Sequence, residues 1–215
     1  MSEHEFEPVP GLPAELPAGE RMLWQGAPRW QSLAVQAFHV RKVAVYFALL
    51  AAFQASAALA GGESLGVALA APSWVLALGL VAVSTLTLLA WLAARGTLYT
   101  LTDRRIVMRF GIALPMSVNL PFTVVESAAA GRRGDGTADI ALTLARGSRI
   151  GYLVNWPNVR PWHFSRPQPM LRALADGARV AGLLAEALAV ASKSATTAPA
   201  SQASSPAPTP LTAAA

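Results

Sequence analysis

The sequence contains no cysteine, and this absence excludes several kinds of site at once. Disulfide bonds, thiolate metal ligands and cysteine nucleophiles are all ruled out. Histidine is also scarce, and His4, His39 and His163 lie too far apart in the sequence to predict a metal cluster. The glycine-rich segment Gly131–Gly136 lacks the lysine and the spacing of a phosphate-binding loop. We therefore expect a protein that is not an enzyme and that has no catalytic, cofactor-binding or metal-binding residues.

Charged residues are few, at 13% of the chain, and the stretch from Val43 to Ala94 contains only one, Glu63. Pro72 interrupts the uncharged run that follows Glu63. About 20 apolar residues in a helix cross the roughly 30 Å hydrocarbon layer of a bilayer. The pattern predicts a transmembrane hairpin over 43–94, with spans at 43–62 and 73–94. The alternative for each run is a buried helix of a soluble protein.

Basic residues flank this hairpin on one side only. Arg41 and Lys42 precede the first span, Arg95 follows the second, and the connecting loop 61–72 contains neither lysine nor arginine. Because lysine and arginine concentrate in cytoplasmic segments, we expect a multi-pass membrane protein with both termini in the cytoplasm and this loop outside.

Alanine lines one face of the first predicted span, at spacings of four and three residues. Small residues let two helix backbones approach closely within a membrane. The row predicts a helix-packing seam, either against the second span of the same chain or against the helix of a partner. Its members are Ala44, Ala48, Ala51, Ala55 and Ala58.

The segments that flank the hairpin differ in composition. Residues 1–20 carry five acids, four prolines and no lysine or arginine, which predicts an extended arm. Residues 21–42 predict a short strand and then a helix in the membrane interface, with Ser32 and Gln36 on the face opposite its apolar residues. Residues 192–215 are rich in Ser, Ala, Thr and Pro, which predicts a disordered tail.

Residues 95–191 predict a small antiparallel β domain in the cytoplasm. Apolar residues alternate in short segments separated by turn residues, and helical spacing then returns over Met170–Ala191. The whole chain is therefore expected to be an α+β membrane protein, whose sheet is closed by a C-terminal amphipathic helix. Twelve arginines against five acids over 95–179 indicate anionic lipid rather than nucleic acid as a partner. The segments taken as strands include 106–110, 118–120, 140–144 and 150–154.

The segment 155–169 combines four prolines with aromatic and arginine side chains. Prolines limit the entropy that a loop loses on docking, and tryptophan and arginine are favoured binding anchors. We predict an exposed protein-docking patch, with Trp156 partly buried. The alternative is a loop that packs its aromatic side chains onto the sheet. The predicted partner-binding residues are Trp156, Arg160, Trp162 and Phe164.

Two resemblances extend this interpretation. The string Tyr99–Gly111 resembles the bacterial pleckstrin-homology-like (PH-like) domains that are attached to membrane hairpins, which implies a membrane-side interaction module but not phosphoinositide binding. Two further segments, Gly11–Gly26 and Asn155–Leu174, resemble the PuhB family of photosynthetic-complex assembly proteins of purple phototrophic bacteria. This second resemblance covers roughly residues 6–191.

The PuhB resemblance implies a factor of the bacterial inner (intracytoplasmic) membrane that assembles the reaction centre and its core antenna. Its expected partners are the membrane subunits of these complexes and lipid, and self-association is possible; nucleic acid is not expected. One alternative is a general membrane-surface scaffold that binds anionic lipid. Another is a bacteriochlorophyll carrier, for which His39 is the candidate magnesium ligand.

Overall fold

The computed structural model describes Leu12 and residues 15–112, 114–148 and 150–197. One short strand precedes an apolar helical hairpin, and further short strands and a last helix follow it. The elements are β1 (Met22–Gly26), α1 (Trp30–Gln36), α2 (Val40–Ala60), α3 (Leu65–Ala70), α4 (Ser73–Arg95), β2 (Leu98–Thr102), β3 (Arg105–Phe110), β4 (Met116–Pro121), a 3-10 turn (Phe122–Val124), β5 (Val125–Arg132), β6 (Ala138–Leu144), β7 (Met170–Leu174) and α5 (Gly177–Thr197).

Helices α2 and α4 form the hairpin, with the short helix α3 between them. The mean hydropathy is 1.9 in α2 and 2.3 in the stretch Leu65–Arg95, so both are long and apolar enough to cross a membrane. Only 6% and 17% of these two apolar windows is buried inside the structure. A core helix of a soluble protein would be mostly buried, so most of this apolar surface needs another cover.

The hairpin packs along a face that only partly coincides with the alanine row. Ala51 is buried and Ala55 and Ala58 are half-buried, whereas Ala44 and Ala48 are exposed. Near these two exposed alanines, Phe47 of α2 lies against Gly79 of α4. Because the Phe47 ring fills this part of the interface, Ala44 and Ala48 take no part in packing within the hairpin.

In the described part of the chain, seven strands form two antiparallel sheets. The first has the order β1-β2-β3-β4 and the second the order β5-β6-β7. Since Gly26 lies opposite Tyr99, β1 belongs to the first sheet and the hairpin is an insertion between two of its strands. The β domain is therefore not confined to 95–191. Because β2 follows α4 almost directly, the sheet end at Leu98 adjoins the hairpin, and the Arg105 end points away.

One apolar core joins the two sheets and α5. The sequence prediction of an α+β fold, with antiparallel sheets closed by a C-terminal helix, is confirmed. Burying large aliphatic and aromatic side chains of this kind contributes about 1.5–3 kcal/mol each. The buried members include Tyr99, Leu101, Ile106, Met108, Phe110, Leu120 and Phe122 from the first sheet side, Ile140, Leu142, Leu171 and Leu174 from the second sheet, and Val180, Leu184 and Ala187 from α5.

Helix α1 packs between the hairpin and the second sheet. Its apolar face, with Phe38 just beyond its end, packs on the last turns of α4 through Leu33, Ala34, Phe38, Ala90, Ala93 and Ala94. Ser32 is buried, and its hydroxyl donates to Asp135 Oδ2 at 2.6 Å. Gln36 Nε2 donates to the same oxygen at 3.2 Å. The β5–β6 turn therefore covers the polar face of this helix.

Two predicted elements differ from the structure. Met170–Leu174 is strand β7 and not the beginning of the last helix, which starts at Gly177. All five β7 residues are buried, and a strand buried on both faces has no alternation to distinguish it from a helix. The run Ile150–Val154 forms no strand; it lies in turns, with Leu153 and Val154 exposed.

The predicted ends of the chain are only partly described. Helix α5 continues to Thr197, into the segment predicted to be a disordered tail, and residues 198–215 lie outside the described part. Most of the predicted arm, residues 1–11 with 13 and 14, also lies outside it. Its last residue, Glu20, is buried and pairs with Arg105 Nε at 2.8 Å, so the arm joins the first sheet there.

Gly79→Ala should loosen the hairpin. The added Cβ would lie 2.8 Å from the Cβ of Phe47, and both helices would have to shift to relieve this overlap. We expect a loss of about 1–3 kcal/mol of stability, measured by thermal unfolding in detergent.

The matched control is Gly182→Ala in α5, where nothing lies within 4 Å of the new methyl group. That change should be neutral or should stabilise the protein by up to about 1 kcal/mol. Equal melting temperatures for the two variants would contradict the close contact between Phe47 and Gly79.

The pKa of Asp135 tests the packing of α1 against the β5–β6 turn. Hydrogen bonds from Ser32, and then from Thr137, lower the pKa of Asp135 from 3.8 to about 2. Because the folded-state pKa is lowered, this contribution to stability is present above the ordinary pKa and is lost as pH falls toward 2. Ser32→Ala should raise the pKa toward its ordinary value and move this loss to higher pH, measured by carboxyl NMR titration.

Gln36→Ala is the control, since the Gln36 hydrogen bond contributes least to the lowered pKa of Asp135. A pKa that Ser32→Ala leaves unchanged would show that α1 does not dock on the β5–β6 turn.

Candidate functional site

The loop between β6 and β7, residues 145–169, brings three aromatic side chains together, two of them exposed and one half-buried. The rings of Tyr152 and Phe164 are 4.5 Å apart, and those of Trp162 and Phe164 are 6.2 Å apart and nearly perpendicular. Trp162 is 84% exposed and Phe164 is 61% exposed. We call Tyr152, Trp162 and Phe164 the aromatic cluster. Exposed aromatic groups of this size are typical of surfaces that become buried against a partner.

Buried polar contacts hold the base of this loop in place. Asn155 and Asn158 are both buried. Asn155 Nδ2 donates to the Gly151 carbonyl at 2.8 Å, and the Tyr99 hydroxyl donates to Asn158 Oδ1 at 2.6 Å. Val159 bridges to Pro169 in antiparallel fashion, so the loop runs for a short distance beside β7. The aromatic cluster is therefore presented on a fixed support.

The support extends to a buried arginine in β7. Arg172 donates through Nη2 to the Val159 carbonyl at 2.9 Å, and its backbone N–H donates to the Tyr99 hydroxyl at 3.2 Å. Burial lowers the pKa of Arg172 and raises the pKa of Tyr99, so the tyrosine stays a neutral donor. The buried carboxylate of Asp139 accepts from the Ala173 N–H at 2.8 Å and favours the charged form of Arg172.

This network holds the base of the loop in place. Its members bond one another and the loop backbone, and the described residues contain no group of three or more His, Asp or Glu side chains that could hold a metal ion. His39 sits alone at the beginning of α2. Two buried donors of the network, Asn158 Nδ2 and Arg172 Nε, lack a hydrogen-bond partner among the residues that the structure describes.

Trp162 has an unusual backbone for its residue type. Its φ is 65°, in the left-handed region, which costs a non-glycine residue about 1–2 kcal/mol. The side chain is also left in water instead of being buried. Neither folding stability nor backbone preference therefore favours a tryptophan at this position.

The structure separates the four predicted partner-binding residues. Trp162 and Phe164 share the aromatic cluster. Trp156, 46% exposed, instead packs its edge on Phe38 at the junction of α1 and α2, with ring centroids 5.0 Å apart. Arg160 is exposed and donates through Nη1 to Gln168 Oε1 at 3.0 Å. All four are accessible, and their role in docking stays a prediction.

Sequence reasoning missed one member of the cluster, Tyr152. It lies within the apolar run 150–154, which was assigned to a strand. The glycine at 151, next to an aromatic residue and close to Pro157, was the available turn signal.

Comparison with known proteins agrees with this architecture. Residues 42–188 match the family described as a bacterial PH domain, a range that includes the hairpin as well as β2–β7. The chain is also 42% identical over 193 residues to an uncharacterized 23.7 kDa protein in the puhA 5′ region of Rhodobacter capsulatus. That alignment covers 87% of this chain and 89% of the relative. No solved structure matches. This chain belongs to the bacterial PH domain family.

Proposed function

We propose that this protein is a non-enzymatic assembly factor for the photosynthetic reaction centre and its core antenna in a purple phototrophic bacterium. Three observations support the proposal. The sequence resembles the PuhB family, and the Rhodobacter capsulatus relative is named for its place in the 5′ region of puhA. The exposed aromatic cluster on a fixed loop supplies a docking surface.

In this proposal α2 and α4 anchor the protein in the inner (intracytoplasmic) membrane. Both termini and the β domain lie in the cytoplasm, and loop 61–72 lies outside. The arginine at the end of α4 supports this orientation, because the Arg95 guanidinium lies over the Trp91 ring at 4.8 Å. Tryptophan and arginine together favour the boundary between lipid and water.

The single observation that carries the docking role is the conformation of Trp162. A large ring that is held in the left-handed region and left exposed raises the free energy of the unbound protein. Burial of the Trp162 ring against the cytoplasmic surface of a membrane subunit would offset this free-energy cost. Aromatic anchors contribute about 2 kcal/mol or more at the centres of interfaces.

The second candidate is a scaffold that binds anionic lipid without a photosynthetic client. Its support is the excess of arginine over acidic residues in 95–179. A bacteriochlorophyll carrier has less support, since His39 lies alone among the described residues. Affinity purification from phototrophic membranes distinguishes the three, because it would recover reaction-centre subunits, lipid alone or bound pigment.

Trp162→Asn tests the docking role directly. Asparagine tolerates a positive φ, so we expect the melting temperature to stay the same or to rise slightly. Loss of the ring should lower recovery of reaction-centre subunits about tenfold or more, the effect of losing at least 1.4 kcal/mol.

The control is Val190→Asn in α5, which also removes an apolar side chain that is 64% exposed. It should leave recovery unchanged. Normal recovery of reaction-centre subunits with Trp162→Asn would contradict the docking role. Parallel losses of protein abundance and subunit recovery would show that Trp162 supports folding instead.

A further inference from the structure

The turn between β3 and β4 exposes apolar side chains at the end of the first sheet that adjoins the hairpin. Leu114 is 78% exposed, Ile112 is 52% exposed and Met116 is 38% exposed. We call these three residues the β3–β4 tip. Removing apolar surface from water is favourable by about 25 cal/mol per Å², so a tip of this composition is stabilised by an apolar cover.

The position of the tip identifies that cover. Gly96 ends α4, and a Cβ at this position would overlap the carbonyl oxygen of Gly111, so the turn backbone touches the helix end. Arg109 lies opposite Leu98 in the register of β2 and β3. The chain beyond Arg109 therefore passes the beginning of β2 and reaches the level of the last turn of α4, where Trp91 and Arg95 lie.

A second pair of exposed apolar side chains lies in the β6–β7 loop. Leu153 is 84% exposed and Val154 is 58% exposed. They are close in sequence to Trp156, whose ring contacts Phe38 immediately before α2 begins. The two loops thus adjoin the two helix ends that enter the membrane in the proposed topology.

We propose that the β3–β4 tip and Leu153–Val154 insert into the cytoplasmic leaflet, at the boundary between head groups and acyl chains. This inference rests on the proposed membrane anchoring. Lipid is the occupant that the geometry favours, because both loops continue the uncovered apolar surface of α2 and α4 at their cytoplasmic ends. Apolar side chains bind this boundary through their buried area, and nearby arginines add attraction to anionic lipid.

Insertion at two loops would fix the tilt of the β domain on the membrane. The far end of the first sheet, near Arg105 and Pro121, would then point into the cytoplasm. The aromatic cluster would be held at one height above the membrane, where a client's cytoplasmic surface can reach it.

The absence of cysteine allows a direct test, because single cysteines can be introduced and labelled with an environment-sensitive fluorophore. We would label Leu114→Cys and Leu153→Cys in the full chain, reconstituted in vesicles of phosphatidylethanolamine and phosphatidylglycerol. Leu80→Cys, on the exposed side of α4, is the lipid reference. Val190→Cys is the water reference, since the α5 end that carries it lies near Phe122 at the far end of the first sheet.

The expected result is that probes at Leu114 and Leu153 emit at shorter wavelength than the probe at Val190 and lose fluorescence to nitroxide-labelled lipid, as at Leu80. Quenching by aqueous iodide as strong as at Val190 would overturn the inference, and so would shielding from both quenchers, which would mean a protein cover. Iodide quenching at Leu80 would instead contradict the membrane anchoring itself. If Leu114→Cys fails to fold, Ile112→Cys replaces it.

Discussion

Helix α4 passes into strand β2 through only Gly96 and Thr97, and this short connection sets the position of the β domain on the hairpin. Thr97 is buried, and its hydroxyl donates to the Ala93 carbonyl at 2.7 Å, so the connection is a continuation of the helix end. Gly96 allows the β3–β4 turn to touch the helix because it has no Cβ. Helix α1 then closes the other side, with its apolar face on α4 and Ser32 on the second sheet.

Tyr99 links this connection to the candidate docking loop, residues 145–169. Tyr99 is the second residue of β2, and its hydroxyl bonds both Asn158 and the Arg172 backbone. The path from α4 to the loop is therefore a chain of buried contacts. A loop held in this way loses little conformational entropy when a partner binds, so more of the aromatic contact energy appears as affinity. Tyr99 and Arg172 hold this loop through hydrogen bonds to Asn158 and to the Val159 carbonyl.

Much of the fold could be predicted from the sequence, because its signals are local. Long uncharged runs identify the hairpin, and period-two alternation identifies β3 and β6. Strand β5 was missed because Ala128–Gly131 has low β propensity and the strand is stabilised mainly by pairing with β6. Strand β7 was missed because it is buried throughout. The burial of Ser32 could not be predicted, because its partner, Asp135, is distant in sequence.

The candidate site was predictable in composition but not in geometry. Proline and aromatic residues mark the loop, yet only the tertiary path shows that Trp156 turns toward Phe38 while Trp162 joins Tyr152 and Phe164. No sequence pattern indicates that Trp162 has a positive φ, because that conformation is imposed by the surrounding loop.

The most direct test of an assembly role is a deletion of the gene in its phototrophic host, with reaction-centre content and bacteriochlorophyll synthesis measured together after induction. The account predicts that reaction-centre content falls while pigment synthesis continues. An unchanged reaction-centre content, or a loss of pigment synthesis itself, would contradict it.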